Sequence, residues 1–364
     1  MRLFFLLLIS LSASSVHAVS KQESSSYKFE TLLERKEVIW GFDFLPDGKV
    51  ILTQRDGKML TFDPATKAVV ELKGVPKVYS AGQAGLLDVR VHPDFKTNNQ
   101  IFFSYSEPVG DDESTTVLGV ATLKGSELTN FKKLFSGHAP NDNDIHYGSR
   151  IEFDLKGHLF LTMGDRDQRH KAQDLAFHQG KIMRLNLDGS IPQDNPYVKQ
   201  KDKKPEIWSY GHRNPQGLTR HPVTGEIWEG EMGPRGGDEI NLIKPEKNYG
   251  WPVITYGREY YGPKIGTTAK AGMEQPLVHW VPSISPSAIA FYSGDKISGF
   301  KNNLFIATLS ATHVRRLVME ETKVVKQEEL FADLDYRWRN VRSGPDGYLY
   351  LSTDEGRFGR VVKK

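Results

Sequence analysis

Cysteine is absent from this 364-residue chain. Its absence removes disulfide bonds, thiolate metal ligands and cysteine nucleophiles from the possible chemistry. Long apolar runs are lacking too: beyond the first 20 residues no stretch reaches the about 18 uninterrupted apolar residues of a membrane-crossing helix. Neither sign of charge dominates, because 48 Lys and Arg against 45 Asp and Glu leave a formal charge of +3. That balance argues against nucleic acid as a partner, and the run from Lys199 to Lys204 reads as solvated loop charge. With no Cys and no tight His cluster, zinc has no obvious ligand set. Amphipathic helical periodicity is almost missing as well.

What is present begins with Arg2, an apolar run from Leu3 to Leu11 broken only by Ser10, and the small-residue pattern Val16-His17-Ala18. This is the pattern of a secretory signal peptide, residues 1–18, cleaved after Ala18. The expectation is a soluble exported protein, periplasmic or secreted, without membrane insertion. Residues 19–26 are polar and are expected to be disordered. An exported chain without disulfides relies on a large core or on bound metal, and residues 27–364 are ample for a core.

One phrase recurs along the chain: an apolar strand, a turn rich in Pro, Asp, Asn and Gly, and a second apolar strand. It spans 40–62 around Leu45-Pro-Asp-Gly48, 89–106 around His92-Pro-Asp-Phe95, and 150–187 around Asp154-Leu-Lys-Gly157. It returns over 218–243 around His221-Pro-Val-Thr-Gly225, 289–318 around Phe300-Lys-Asn-Asn303, and 341–362 around Gly344-Pro-Asp-Gly347. Pro pre-sets its own φ and Gly or Asn accepts positive φ, so each turn suits a tight hairpin. Six repeats of short strands predict an all-β fold, a six-bladed β-propeller forming a single domain. A β-sandwich does not explain the recurrence. The last strand, near Arg357 to Val362, is expected to pair with residues near the mature N-terminus and close the ring. Three long inserts, 167–181, 188–205 and 249–282, are where function is expected to gather.

His146 and Asp165 lie equally far from the turn at Leu155-Lys156. If the flanking segments zip as an antiparallel hairpin the two face each other, at a Cβ separation of about 4.5–5.5 Å. A carboxylate there would orient the imidazole as a general base. The bland alternative is two residues that merely end two strands, and a bulge could shift the register.

Several motifs then carry a resemblance. They are Gly82-Gln-Ala-Gly-Leu-Leu87 with His92-Pro-Asp-Phe95, His146-Tyr-Gly-Ser-Arg150 with Gly164-Asp165, and Tyr210-Gly-His-Arg-Asn-Pro-Gln-Gly217 with Glu231-Met-Gly-Pro-Arg-Gly-Gly-Asp-Glu-Ile-Asn-Leu242. Asn248-Tyr-Gly-Trp-Pro252 and Arg337-Trp-Arg-Asn-Val341 with Gly344-Pro-Asp-Gly347 complete the order. The chain resembles the glucose/sorbosone dehydrogenase family, within it the soluble aldose sugar dehydrogenases that use pyrroloquinoline quinone (PQQ). The resemblance implies oxidation of an aldose at its anomeric carbon to a lactone, with hydride passing to PQQ and electrons leaving to a respiratory acceptor. It implies catalytic roles for His146, Asp165 and Arg213, and cofactor contacts from Gln83, Arg213, Asn214, Arg337 and Arg339. Arginine forks suit the three carboxylates of PQQ, and Arg337 and Arg339, two apart on an expected strand, share one face. It further implies Ca²⁺ held by the main-chain carbonyls of Gly233 and Pro234, with Glu239 and the Tyr249 carbonyl at a second Ca²⁺ site. Gln168 and Tyr147 are candidate sugar contacts.

Two departures stand out. The lysine that family members place after the Asn-Asn-Leu turn falls near Ser310 or Ala311, where there is none, leaving His313, Arg315 or Arg316 to reach in. Glucose-selective relatives carry an acidic residue before the base, whereas this chain has Ile145, with Asp144 one place too early; broad aldose selectivity is expected. Two other functions compete with the PQQ enzyme: a Ca²⁺-dependent lactonase, and a non-catalytic propeller that binds carbohydrate or protein.

Overall fold

A computed structural model describes residues 19–20, 26–110, 112–138 and 140–364; the expected signal peptide, 1–18, lies outside the described residues. The regular secondary structure of the described chain is nearly all strand. Its only α-helix is the single turn Phe95–Asn98, beside short 3-10 turns at Arg169–Gln173 and Ala332–Leu334.

Six antiparallel sheets form six blades. Blade 1 holds Ile39–Phe44, Val50–Gln54, Met59–Phe62 and Val69–Glu71. Blade 2 holds Leu86–Val91, Gln100–Val109, Glu113–Lys124 and Glu127–Ser136. Blade 3 holds Ile151–Phe153, His158–Met163, Lys181–Asn186 and Ile207–Tyr210. Blade 4 holds Pro215–Arg220, Ile227–Glu231, Asp238–Ile243 and Val278–Trp280. Blade 5 holds Pro286–Phe291, Leu304–Thr308, Val314–Glu320 and Lys323–Leu330. Blade 6 takes Trp338–Ser343, Leu349–Thr353 and Arg357–Lys363 from the C-terminus and its outer strand, Tyr27–Glu34, from the N-terminus. Tyr27 faces Lys363 and Glu34 faces Arg357, the closure expected from the sequence. All six hairpin phrases fall one to a blade.

The disorder expected over 19–26 does not extend to Val19–Ser20. Their backbone runs parallel to the outer strand of blade 5, Val19 facing Gln327 and Ser20 facing Glu328. An open outer strand presents unpaired N–H and C=O groups that a passing chain can satisfy.

Each blade buries both faces, which is why strands such as Val50–Gln54 and Leu304–Thr308 are buried along their whole length. An apolar cluster fills each interface between neighbouring blades, and a further one gathers Trp40, Ala84, Leu87 and Tyr147. At the closure, Phe358 of the last strand packs edge-on against Phe42 and Phe62 of blade 1 and stacks on Tyr350. Phe358→Ala would cost about 3–5 kcal/mol through lost burial and the cavity left behind.

The first strand of a blade lines the central channel, and near its start the register shifts by one residue. This happens between Ile39 and Gly41, Leu86 and Val89, Pro215 and Gly217, Pro286 and Ala288, and Trp338 and Asn340. Blade 3 does the same just before its ladder. Ser149 N–H donates to the Thr162 carbonyl (2.8 Å), while Arg150 N–H donates to Thr162 Oγ1 (2.9 Å), so two residues face one. Such a bulge re-aims the side chains that follow it.

Candidate active site

The blade 3 ladder pairs Ile151 with Leu161 and Phe153 with Leu159. It is centred on Lys156, one position from the symmetry read in the sequence, and continued unbroken it would set His146 against Arg166. The extra residue at Ser149-Arg150 restores the offset. His146 then meets Asp165: Nδ1 lies 2.7 Å from Asp165 Oδ1. The approach needs Gly164, because a Cβ there would sit 2.0 Å from the His146 carbonyl oxygen. Left-handed backbone is concentrated here, with φ of 56° at His146, 78° at Ser149, 52° at Arg166 and 60° at Asp167. Such conformations cost free energy and persist where surrounding structure enforces them.

Asp165 is almost fully buried, which pushes its carboxyl upward, but hydrogen bonds from His146 and Trp251 and the charge of Arg213 bring it below the ordinary value. An ionised Asp165 requires a proton on His146 Nδ1, which leaves the Nε2 lone pair free. Burial holds the His146 imidazole below its usual range, Arg213 adds to this, and the Asp165 hydrogen bond opposes it. The ring is therefore neutral at pH 7 and able to accept a proton.

Strands alternate in direction, so the channel mouth where each first strand begins also carries the loops between second and third strands. Gln83, His146, Asp165, Arg213, Asn214, Gly233 and Pro234 all fall in such connections. A cavity of about 230 Å³ opens there, lined by Gln83, Ile145, His146, Arg213, Pro234 and Trp251, with Asp167, Arg169, Glu259 and Tyr260 at its rim. Gln83 Oε1 accepts the His146 main-chain N–H (2.9 Å). Asn214 is buried beside this wall, its Oδ1 accepting the Gly148 N–H (3.3 Å). Arg213 donates to the Met232 carbonyl (2.9 Å), and among the described residues no carboxylate pairs with its guanidinium. Ile145 lines the cavity while Asp144 turns away to accept the Tyr79 hydroxyl (2.9 Å).

Arg337 and Arg339 do share a face, but the ligand they share is Asp354. Nε of Arg337 lies 3.1 Å from Oδ2, and Nε of Arg339 lies 2.7 Å from Oδ1. Arg339 also reaches Gln216 Oε1 (3.2 Å). The trio keeps one net positive charge, beside the channel wall and outside the cavity lining. Of the three side chains near the missing lysine, Arg315 pairs with Glu329 through Nη2 while its Nε and Nη1 have no hydrogen-bond partner, Arg316 pairs with Glu328, and His313 Nδ1 bonds the Ala311 carbonyl. Two candidate sugar contacts are corrected. Tyr147 is buried with its hydroxyl on Ser114 Oγ (2.5 Å) and its ring under Arg166. Gln168 is engaged by Gln179 (3.0 Å). Both side chains satisfy internal partners, and neither lines the cavity.

Beside this cavity, blade 4 carries an acidic group only partly legible in the sequence. The register sets Glu229 against Asn241 and Glu231 directly against Glu239. Like charges so opposed are destabilising, and all three carboxylates are buried. Burial pushes Glu239 up to about 8; burial and the charges of Glu231 and Glu239 raise Glu229 well above the ordinary value, and burial and the charge of Glu239 do the same to Glu231. Asn241 Nδ2 reaches Glu229 Oε2 (3.2 Å) and Glu239 Oε2 (3.3 Å), yet Glu229 Oε1, Asn241 Oδ1 and His212 Nδ1 have no hydrogen-bond partner, His212 Nδ1 lying 3.8 Å from Glu231 Oε2. His212, Glu229 and Glu231 bring ligand atoms within 4.8 Å of one another. A small cavity joins Glu231, Gly233, Glu239 and Tyr249. These donors fit a hard cation. Of the expected carbonyl ligands, that of Pro234 already accepts the Arg258 N–H (3.1 Å). Glu229 and Glu231 were missed by sequence reasoning; the signal was Glu-x-Glu alternation facing Glu239-x-Asn241.

The profile of the Glucose / Sorbosone dehydrogenase family matches residues 36–363. The chain belongs to this family. Over 340 residues it is 41% identical to aldose sugar dehydrogenase YliI of Escherichia coli K12, covering 92% of this chain and 91% of that protein. The crystal structure of the soluble E. coli aldose sugar dehydrogenase in its apo-form superposes with a TM-score of 0.89 at 40% identity, covering 93% of this chain and 99% of that one. The PQQ-bound aldose sugar dehydrogenase of Streptomyces coelicolor gives a TM-score of 0.78 at 25% identity, covering 93% and 98%. As a glucose/sorbosone dehydrogenase family member this propeller is an oxidoreductase. No described helix is long and apolar enough to cross a membrane.

Proposed function

We propose that this protein oxidises aldoses at the anomeric carbon to lactones, with PQQ as hydride acceptor and Ca²⁺ in support. The observation that carries the reading is His146: a neutral, buried imidazole, oriented by Asp165 through Nδ1, facing a cavity walled by an arginine without a carboxylate partner. Bound PQQ would supply the two-electron acceptor, an ortho-quinone carbon that takes hydride. His146 Nε2 accepts the proton of the anomeric hydroxyl as C1 releases hydride and the C1–O bond becomes a carbonyl. Asp165 keeps the ring aimed and stabilises the imidazolium formed. Arg213, with Asn214 and Gln83 beside it, stabilises negative charge that develops at the cavity wall.

The fit to a tricarboxylate rests on Arg213 and on the positive charge left over in the Arg337, Arg339 and Asp354 trio. The fit to Ca²⁺ rests on buried carboxylates facing each other without a cation, with Glu239 and the Tyr249 carbonyl as ligands and Glu231 as a further one; Gly233 and Pro234 would offer carbonyls on the cavity side. Ile145 at the wall supports broad aldose selectivity, because no carboxylate there selects among sugar hydroxyls. The chain is proposed to be exported after removal of residues 1–18, passing electrons to a respiratory acceptor.

The test combines protein, PQQ and Ca²⁺ with glucose, xylose, galactose and maltose and an artificial electron acceptor. Acceptor reduction should require PQQ, and His146→Ala should lower kcat by about 10²–10⁴-fold. An unchanged rate in His146→Ala, or no spectral change on adding PQQ, would sink the reading.

A further inference from the structure

Trp251 belongs to the insert between the third and fourth strands of blade 4, yet its indole reaches the partner of the base. Its N–H donates to Asp165 Oδ2 at 2.7 Å. The other carboxylate oxygen, Oδ1, accepts His146 Nδ1 at 2.7 Å and the Asp167 main-chain N–H at 2.9 Å. A carboxylate held through one oxygen can rotate about its last bond; one held through both has its plane fixed. Trp251 is itself fixed. Its main-chain N–H donates to the Gly211 carbonyl (2.8 Å), its carbonyl accepts Gln173 Nε2 (2.7 Å), and only 4% of it is exposed. The guanidiniums of Arg213 and Arg169 lie 5.4 and 5.5 Å from its ring centroid, within range of a cation–π attraction. Arg169 is anchored in turn by Glu259, Nη1 to Oε1 2.6 Å. Two other connections of the chain thus meet on one indole.

We propose that Trp251 is a positioning residue for the reaction: its N–H fixes Asp165 so that His146 stands with Nε2 toward the cavity and remains unprotonated. This rests on the assignment of His146 as the base. A donor on Oδ2 draws charge from the carboxylate, so Asp165 stabilises the imidazolium less than an unshared carboxylate would. Other charges bear on the pair. Asp167 and Arg213 face His146; Arg166, Lys181 and Glu231 face Asp165; Arg169 and Glu259 form the rim. None of these changes when the indole N–H alone is removed.

Two variants remove it. Trp251→Phe keeps an aromatic ring, and replacement of Trp251 by benzothienylalanine keeps the whole bicyclic shape with sulfur in place of N–H. The His146 ring is followed by NMR titration of the protein without cofactor, and the pH profile of aldose oxidation is measured with PQQ and Ca²⁺. In both variants the His146 midpoint should rise by about half a unit, since a hydrogen bond to the charged carboxylate has been lost. The acid limb of kcat/KM should move the same way. kcat should fall about 10-fold with KM within about twofold, as expected when only the base is disturbed. An unmoved midpoint in the benzothienylalanine protein overturns the proposal, as does full activity in it when Trp251→Phe is impaired, because shape and not the N–H would then matter. If wild-type protein with PQQ never oxidises an aldose, the proposed function fails, while the NMR titration still decides whether Trp251 governs His146.

Discussion

Two buried charge clusters lie within the same propeller, and only one pairs carboxylate with arginine. At the channel centre Asp88 accepts Arg150 (3.2 Å), Arg342 (3.0 Å) and the Ile151 N–H (3.0 Å). Arg150 spends its remaining N–H groups on the carbonyls of Gln216, Ser287 and Arg339 and lies 4.0 Å over the Trp40 ring. Every blade therefore contributes a partner, and the cluster is a plug in which each buried charge has an opposite charge beside it. Glu229, Glu231 and Glu239 sit in one blade with no arginine or lysine paired to them among the described residues. They require protons or a cation. The difference separates buried charge paired across blades from buried charge left without an opposite partner.

The sharpest way to break the contrast is Asp88→Ala. It leaves Arg150 and Arg342 buried without their anion and should cost about 3–5 kcal/mol in urea unfolding; a loss near zero would show that the plug is not structural. Next comes Ca²⁺. At about 100 times its Kd, Ca²⁺ should add about 2.7 kcal/mol of stability, and Glu231→Gln should abolish most of that gain while leaving the chelated protein as stable as wild type or more so. Thermal melts with and without chelator read both.

pH distinguishes the clusters by sign. Glu239 is raised to about 8 from its ordinary 4.5, so the folded state favours the protonated form. In chelator, stability should fall as pH rises through that window and level off above it; Ca²⁺ should flatten the slope. Asp88 is held below its ordinary 3.8: burial alone would raise it, but Arg342 and Arg150 outweigh that. Its contribution is present above pH 3.8 and is lost as pH falls through the folded value. The smallest effect belongs to Arg337→Ala. Its side chain is half exposed, so its pairing with Asp354 should change stability by less than about 1 kcal/mol, with any larger consequence confined to PQQ affinity.

Much of the fold was legible. The six hairpin phrases matched six blades because turn chemistry and apolar alternation are local. The closing pair was legible because a ring must end beside its start. The site was legible in part. His146 and Asp165 were placed opposite each other from symmetry alone, although the register that achieves it includes a bulge at Ser149-Arg150 that no local signal marks. Tyr147 and Gln168 read as polar residues near the base, and the structure spends both on internal partners. Arg337 and Arg339 were read as holding the acid groups of PQQ, and their pairing with Asp354 was not foreseen because Asp354 is distant from them in the chain but adjacent across the strand pair.

Composition, turn residues and motif order determined by themselves a propeller with a histidine and an aspartate facing each other at one mouth, since each depends on neighbours along the chain. Tertiary structure alone decided which charges are paired. Asp88 with Arg342, Asp165 with Trp251 and Glu231 against Glu239 are set by strand register and by inserts crossing between blades. A charge in a sequence is silent about its partner, and the partner decides whether it stabilises the fold or holds a place for a ligand.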